Sequence, residues 1–144
     1  MPGSGICSIA GRVRYGWRIV LPTRPRVLLA DDYPDMVKAV SRLLANDCDV
    51  VGSVADGSDL LEAAQRLQPD VIVLDLNLPN VDGLEACRQI THVYPEIRVI
   101  LFTAMSDTDV SQRLPGTGAS AFVSKLAPVD RLLSTIKRLC VDRG

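Results

Sequence analysis

Four apolar runs in this sequence end in residues equipped for chemistry. Val27-Leu28-Leu29-Ala30 runs into Asp31-Asp32, Val71-Ile72-Val73-Leu74 into Asp75, Val99-Ile100-Leu101-Phe102 into Thr103, and Ala121-Phe122-Val123 into Ser124-Lys125. In an open parallel sheet, ligands bind beyond the carboxyl ends of the strands, where the strand order reverses. Strands of such a sheet would therefore bring three carboxylates, a hydroxyl and an ammonium to one edge. Carboxylates crowded together repel, which raises the pKa of at least one unless a cation sits among them. A hard divalent ion such as Mg2+ prefers oxygen ligands and relieves that repulsion. Phosphoryl transfer suits this set of groups, because it needs positioning and charge neutralisation more than covalent assistance. Asp75 would act as the in-line nucleophile and form an acyl phosphate, with the metal, Lys125 and Thr103 each taking one phosphoryl oxygen.

The elements that must position these residues are legible from periodicity. Those four runs and a fifth, Val50-Val51-Gly52-Ser53-Val54, are nearly continuous in apolar character, as in strands buried on both faces. Between them, Met36, Val37, Val40, Leu43 and Leu44 share one helical face, as do Leu60, Leu61, Ala64 and Leu67. Asp56 before Asp59, and Asp82 before Glu85, are predicted helix caps with acids in the first turn. A closing helix carries Val129, Leu132, Leu133, Ile136, Leu139 and Cys140 on one face, with Pro128 expected in its first turn. Alternating strands and helices predict an α/β fold, a parallel sheet with helices on both faces.

Composition bounds the rest. A chain of 144 residues, 47% hydrophobic and 23% charged, suits a single globular core. Residues 1–25 read as a flexible basic N-terminal extension, rich in glycine and proline, and residues 26–144 as one folded domain. Arg12, Arg14, Arg18, Arg24 and Arg26 all precede the first acid, so the remainder of the chain is acidic. An acidic body argues against direct nucleic-acid binding, which depends on neutralising phosphates with Lys and Arg. Cys7, Cys48, Cys87 and Cys140 form no C-x-x-C pair and predict neither a zinc site nor a redox motif. Free thiols and the lack of any span-length apolar run point to a cytoplasmic protein away from the membrane.

Arg-Val-Leu-Leu-Ala-Asp31-Asp32, Val-Ile-Val-Leu-Asp75-Leu-Asn77-Leu-Pro79-Asn-Val-Asp-Gly83, Leu-Phe-Thr103-Ala104 and Phe122-Val-Ser-Lys125 together resemble the receiver domain of two-component response regulators. The resemblance runs from Arg26 to about Cys140. It is strongest toward receivers of the LuxR/NarL/FixJ type, whose output domain is a helix-turn-helix. It implies a flavodoxin-like, doubly wound five-stranded sheet of order 2-1-3-4-5. It also implies that Asp75 is the phosphoacceptor, Asp32 a direct Mg2+ ligand and Asp31 a ligand mostly through metal-bound water. The backbone carbonyl of Asn77 would complete the coordination. Thr103 would swing toward the phosphoryl group, Lys125 would pair with it, and Phe122 would be the aromatic rotamer switch. The implied partners are a histidine kinase or phosphotransfer protein, an output domain or downstream protein, and, after phosphorylation, a second copy of the chain.

His92 matches no position of that site and is expected on the surface. Pro115-Gly116 departs from the family pattern and should end the helix after Asp107 near Leu114, because proline cannot continue it. No output domain follows before Gly144, which leaves open a stand-alone receiver and one separated from its output. Two other functions compete. An aspartyl-phosphate hydrolase would also place a nucleophile after an apolar strand, but such enzymes carry a second acid two residues on, where this sequence has Asn77. A degenerate receiver that binds partners without phosphorylation would have no need of the full acceptor set. The expectation is a signalling switch, not an enzyme with turnover.

Overall fold

A computed structural model describes residues 24–104, 112, 116–128 and 130–143. Five strands form one parallel sheet: β1 (Arg26–Ala30), β2 (Asp49–Val54), β3 (Val71–Leu74), β4 (Arg98–Thr103) and β5 (Ala121–Ser124). Their order is β2-β1-β3-β4-β5, the doubly wound arrangement expected. Four α-helices lie among the described residues: α1 (Pro34–Leu44), α2 (Leu60–Leu67), α3 (Gly83–Val93) and α4 (Asp130–Arg143).

Side chains alternate across a strand, so each run divides between two cores. Leu28, Ala30, Ile72, Leu74, Val99 and Leu101 pack on one face with Leu60, Ala63 and Ala64 of α2 and Leu84, Cys87 and Ile90 of α3. Val27, Leu29, Val71, Val73 and Ile100 pack on the other with Val40 and Leu44 of α1 and Leu132, Ile136 and Leu139 of α4. The three central strands are covered on both sides, which explains their continuous apolar character.

The predicted faces hold with three corrections. β2 and β5 lie at the two edges of the sheet and are largely half-buried, so neither run is enclosed on both faces. On α2, Ala63 turns toward the core and Leu61 is exposed, because the buried arc is centred between Leu60 and Ala64. Pro128 lies two residues ahead of α4, where its carbonyl accepts the Arg131 amide hydrogen. Asp56 and Asp82 do cap, accepting from the Ser58 and Leu84 amides. Arg24, counted with the extension, donates to the carbonyls of Ala45, Asn46 and Cys48 beyond α1 and pairs with Asp49 at 3.1 Å. Residues 1–23 of that extension with Cys7, Val129 and the helix predicted to end near Leu114 fall outside the described residues, apart from Gln112, which is helical and exposed.

Candidate functional site

The ladder of the sheet continues past the strand ends and sets the site. Ala30 is level with Leu74, and Leu74 with Leu101. The next residues extend the pairing, since the Asp31 amide donates to Val54 at 3.0 Å and the Asp75 amide to Ala30 at 2.9 Å. On the other side of β4, Thr103 is level with Ser124, and the Lys125 amide donates to the Thr103 carbonyl at 2.9 Å. A slip of one residue would turn every side chain to the opposite face, so the two cores that fix the register also fix these groups.

Lys125 Nζ donates to Asp31 Oδ2 at 2.9 Å and to Asp75 Oδ2 at 3.0 Å. The other oxygen of each acid is held by the backbone two residues on: Asp31 Oδ1 accepts from the Tyr33 amide at 2.9 Å, and Asp75 Oδ1 from the Asn77 amide at 3.0 Å. Such Asx-type turns fix carboxylates without help from distant residues. Asp31 and Asp75 are buried, and Asp32 is exposed on the rim. One oxygen of each of the three lies within 4.8 Å of the others.

Burial works against the Lys125 charge, but hydrogen bonds to Asp31 and Asp75, and the charges of both acids, outweigh it and raise its pKa above the usual lysine value. The Phe102 ring lies beneath, with its centroid 5.7 Å from Nζ, a cation–π distance. Phe102 also lines a hollow beside the acids with Met36, Val37 and Val73, which lowers the local dielectric. The Thr103 side chain is fully buried at the end of β4.

The structure therefore brings Asp31, Asp32, Asp75 and Lys125 together, with Thr103 on the adjoining register position. Among the described residues, one ammonium pairs with two of the three carboxylates, and hard oxygen donors with excess negative charge suit a divalent cation such as Mg2+. Asn77 is exposed in the loop after β3, Phe122 is partly buried against the α2–α3 face, and His92 is exposed on α3.

The family model for the response regulator receiver domain matches residues 27–137, a span that contains every one of these groups. This chain belongs to that family. Response regulator GacA of Pseudomonas aeruginosa is 31% identical over 116 residues, covering 79% of this receiver and 54% of GacA. The transcriptional regulatory protein DegU of Brevibacillus brevis is 31% identical over 114 residues, covering 78% and 48%. The chain spans about half the length of these curated relatives. Among solved structures, a LuxR-family two-component response regulator from Aurantimonas sp. SI85-9A1 aligns with a TM-score of 0.78 at 27% identity, covering 83% of this receiver and 86% of that chain.

Sequence reasoning missed Phe102 under the receiver's ammonium, and also the pairing of Asp56 with Asn80 beside the site. Phe102 directly precedes Thr103 and read as core. The Asp56–Asn80 contact joins two loops 24 residues apart and has no signature in local spacing.

Proposed function

We propose that this receiver is a phosphoacceptor switch, taking a phosphoryl group onto Asp75 from a histidine kinase or phosphotransfer protein. The observation that carries the reading is the Lys125 ammonium shared between Asp31 and Asp75 at a carboxylate cluster tight enough for a divalent ion. Asp31, Asp32, Asp75 and the carbonyl of Asn77 would hold Mg2+, which when bound neutralises phosphoryl charge.

An Asp75 carboxylate oxygen attacks phosphorus, a new P–O bond forms, and the bond to the donor's leaving group breaks. Lys125 already touches Asp75 and shifts its hydrogen bonding to a phosphoryl oxygen as the acid's charge moves outward. Thr103 donates its hydroxyl to another. Because Thr103 and Lys125 are joined through the β4–β5 ladder, their movement carries to β5, where Phe122 follows as the rotamer switch. The switch acts in the cytoplasm and controls an output region or a downstream protein. The name of DegU, a transcriptional regulatory protein, supports transcription as that output.

Acetyl phosphate with Mg2+ should add one phosphoryl group, read by intact-mass spectrometry, and Asp75→Asn should abolish the gain. An unchanged mass would leave a degenerate binding module, and steady turnover of the donor would indicate a hydrolase.

A further inference from the structure

The segment Asp75 to Val81 leaves β3 without regular structure and carries Asn77. Leu76 and Leu78 anchor its inner side in the core. Its tip is held from outside by a different loop. The Gly57 amide donates to the Pro79 carbonyl at 3.1 Å, and the Asn80 side-chain amide donates to Asp56 Oδ2. The other oxygen of Asp56 accepts from the Ser58 amide and hydroxyl, each at 2.8 Å. Both oxygens of this exposed carboxylate are therefore engaged by the protein, one by Ser58 and the other by Asn80.

The fit between the loops is close. A Cβ on Gly57 would fall 2.7 Å from the Val81 Cβ, so only glycine lets the two backbones approach this far. Asn80 stands at a φ of 70°, a left-handed conformation that asparagine tolerates better than other side chains. At the far end, a Cβ on Gly83 would meet the Leu76 Cα at 2.5 Å, so the segment also closes against its own start. Asn77 lies between the acceptor and this outer attachment, with its amide on Asp75 Oδ1.

We propose that Asp56 and Asn80 form a latch that holds the loop carrying the Asn77 carbonyl in register with Asp31, Asp32 and Asp75, which makes both of them positioning residues for Mg2+ binding. This rests on the phosphoacceptor reading above. A carbonyl ligand is useful only at a fixed distance from the carboxylates, and only Leu78 and Pro79 separate Asn77 from Asn80 of the latch. Groups that orient ligands in this way change metal affinity about 10- to 100-fold when lost. A purely local role, in which Asp56 only caps the short turn Gly57–Asp59, makes no use of Asn80.

The test titrates Mg2+ alone into the full chain by calorimetry, for the native protein, Asn80→Asp, Asp56→Asn and the double exchange. Asn80→Asp sets two carboxylates against each other and should weaken Mg2+ binding about tenfold. The double exchange keeps the native charge, lets an amide at position 56 donate to a carboxylate at position 80, and should return affinity near the native value. In metal-free protein, the Asn77 amide resonance should shift in Asn80→Asp and return in the exchange. Native affinity in Asn80→Asp, or an exchange as weak as the single variant, would overturn the latch whatever happens to thermal stability. Native protein that ignores millimolar Mg2+ would instead overturn the reading beneath it, and the latch with it.

Discussion

Replacing Lys125 with methionine separates charge from packing at the centre of the site. Methionine keeps much of the apolar stem but removes the ammonium that lies 2.9 Å from Asp31 Oδ2 and 3.0 Å from Asp75 Oδ2. At an effective dielectric near 20, each such pair contributes about 6 kcal/mol before desolvation. Desolvation of the ammonium offsets several kcal/mol of the total, and the contact over Phe102 adds about 1 kcal/mol. Removing one partner of a buried pair costs about 3–5 kcal/mol, because the remaining charge is left uncompensated. The Lys125 side chain is 15% exposed, so some water reaches it and the lower end applies, about 3 kcal/mol. Urea unfolding followed by circular dichroism in EDTA should show that loss with an unchanged slope. Added Mg2+ should restore part of it, since a ligand that binds only the folded state stabilises by mass action, and the variant's site has lost its competing cation. A variant within about 0.5 kcal/mol of native in EDTA would refute the view that Lys125 holds the acids together.

Two further tests probe how the site is framed. Gly116 and Gly118 both have a φ of 83°, but a Cβ meets nothing at Gly116 and lies 2.3 Å from Thr91 Oγ1 at Gly118. Gly116→Ala should therefore lose only the left-handed backbone term, about 1 kcal/mol, and Gly118→Ala about 3 kcal/mol, with Thr91→Ala recovering part of the difference. Equal losses in urea titrations would contradict the close approach of this loop to α3. Cys87 is fully buried, and desolvation raises its thiol to about 11 from 9.0, against smaller lowering effects of Thr117 and Arg88. The folded state then keeps a proton that the unfolded chain releases. Stability from this group is complete below pH 9 and is lost as pH rises through 11, by about 2–3 kcal/mol at the limit. Cys87→Ala should flatten the fall in urea midpoint over that window, and an unaltered fall would place its origin elsewhere.

Much of this receiver follows from local sequence alone. Five apolar runs, each of strand length, mark the strands, and burial on both faces demands that continuity in the three central ones. Asp31, Asp75, Thr103 and Lys125 were legible as candidates because each directly follows or closes such a run, where polarity changes abruptly. Asp56 and Asp82 announced their caps, since an Asx side chain bonds to an amide two residues away.

Tertiary structure decided the rest. Whether Val50 to Val54 is central or marginal depends on which strands flank it, and β2 proved to be an edge. Whether Leu61 or Ala63 faces inward depends on where α2 meets the sheet. The placement of Phe102 beneath the ammonium, and of Asp56 against Asn80, depends on the register between elements far apart in the chain. Periodicity reports which face of an element is apolar, because that information repeats every few residues. Contact between elements is settled only when their apolar faces pack and the backbone ladder locks one register.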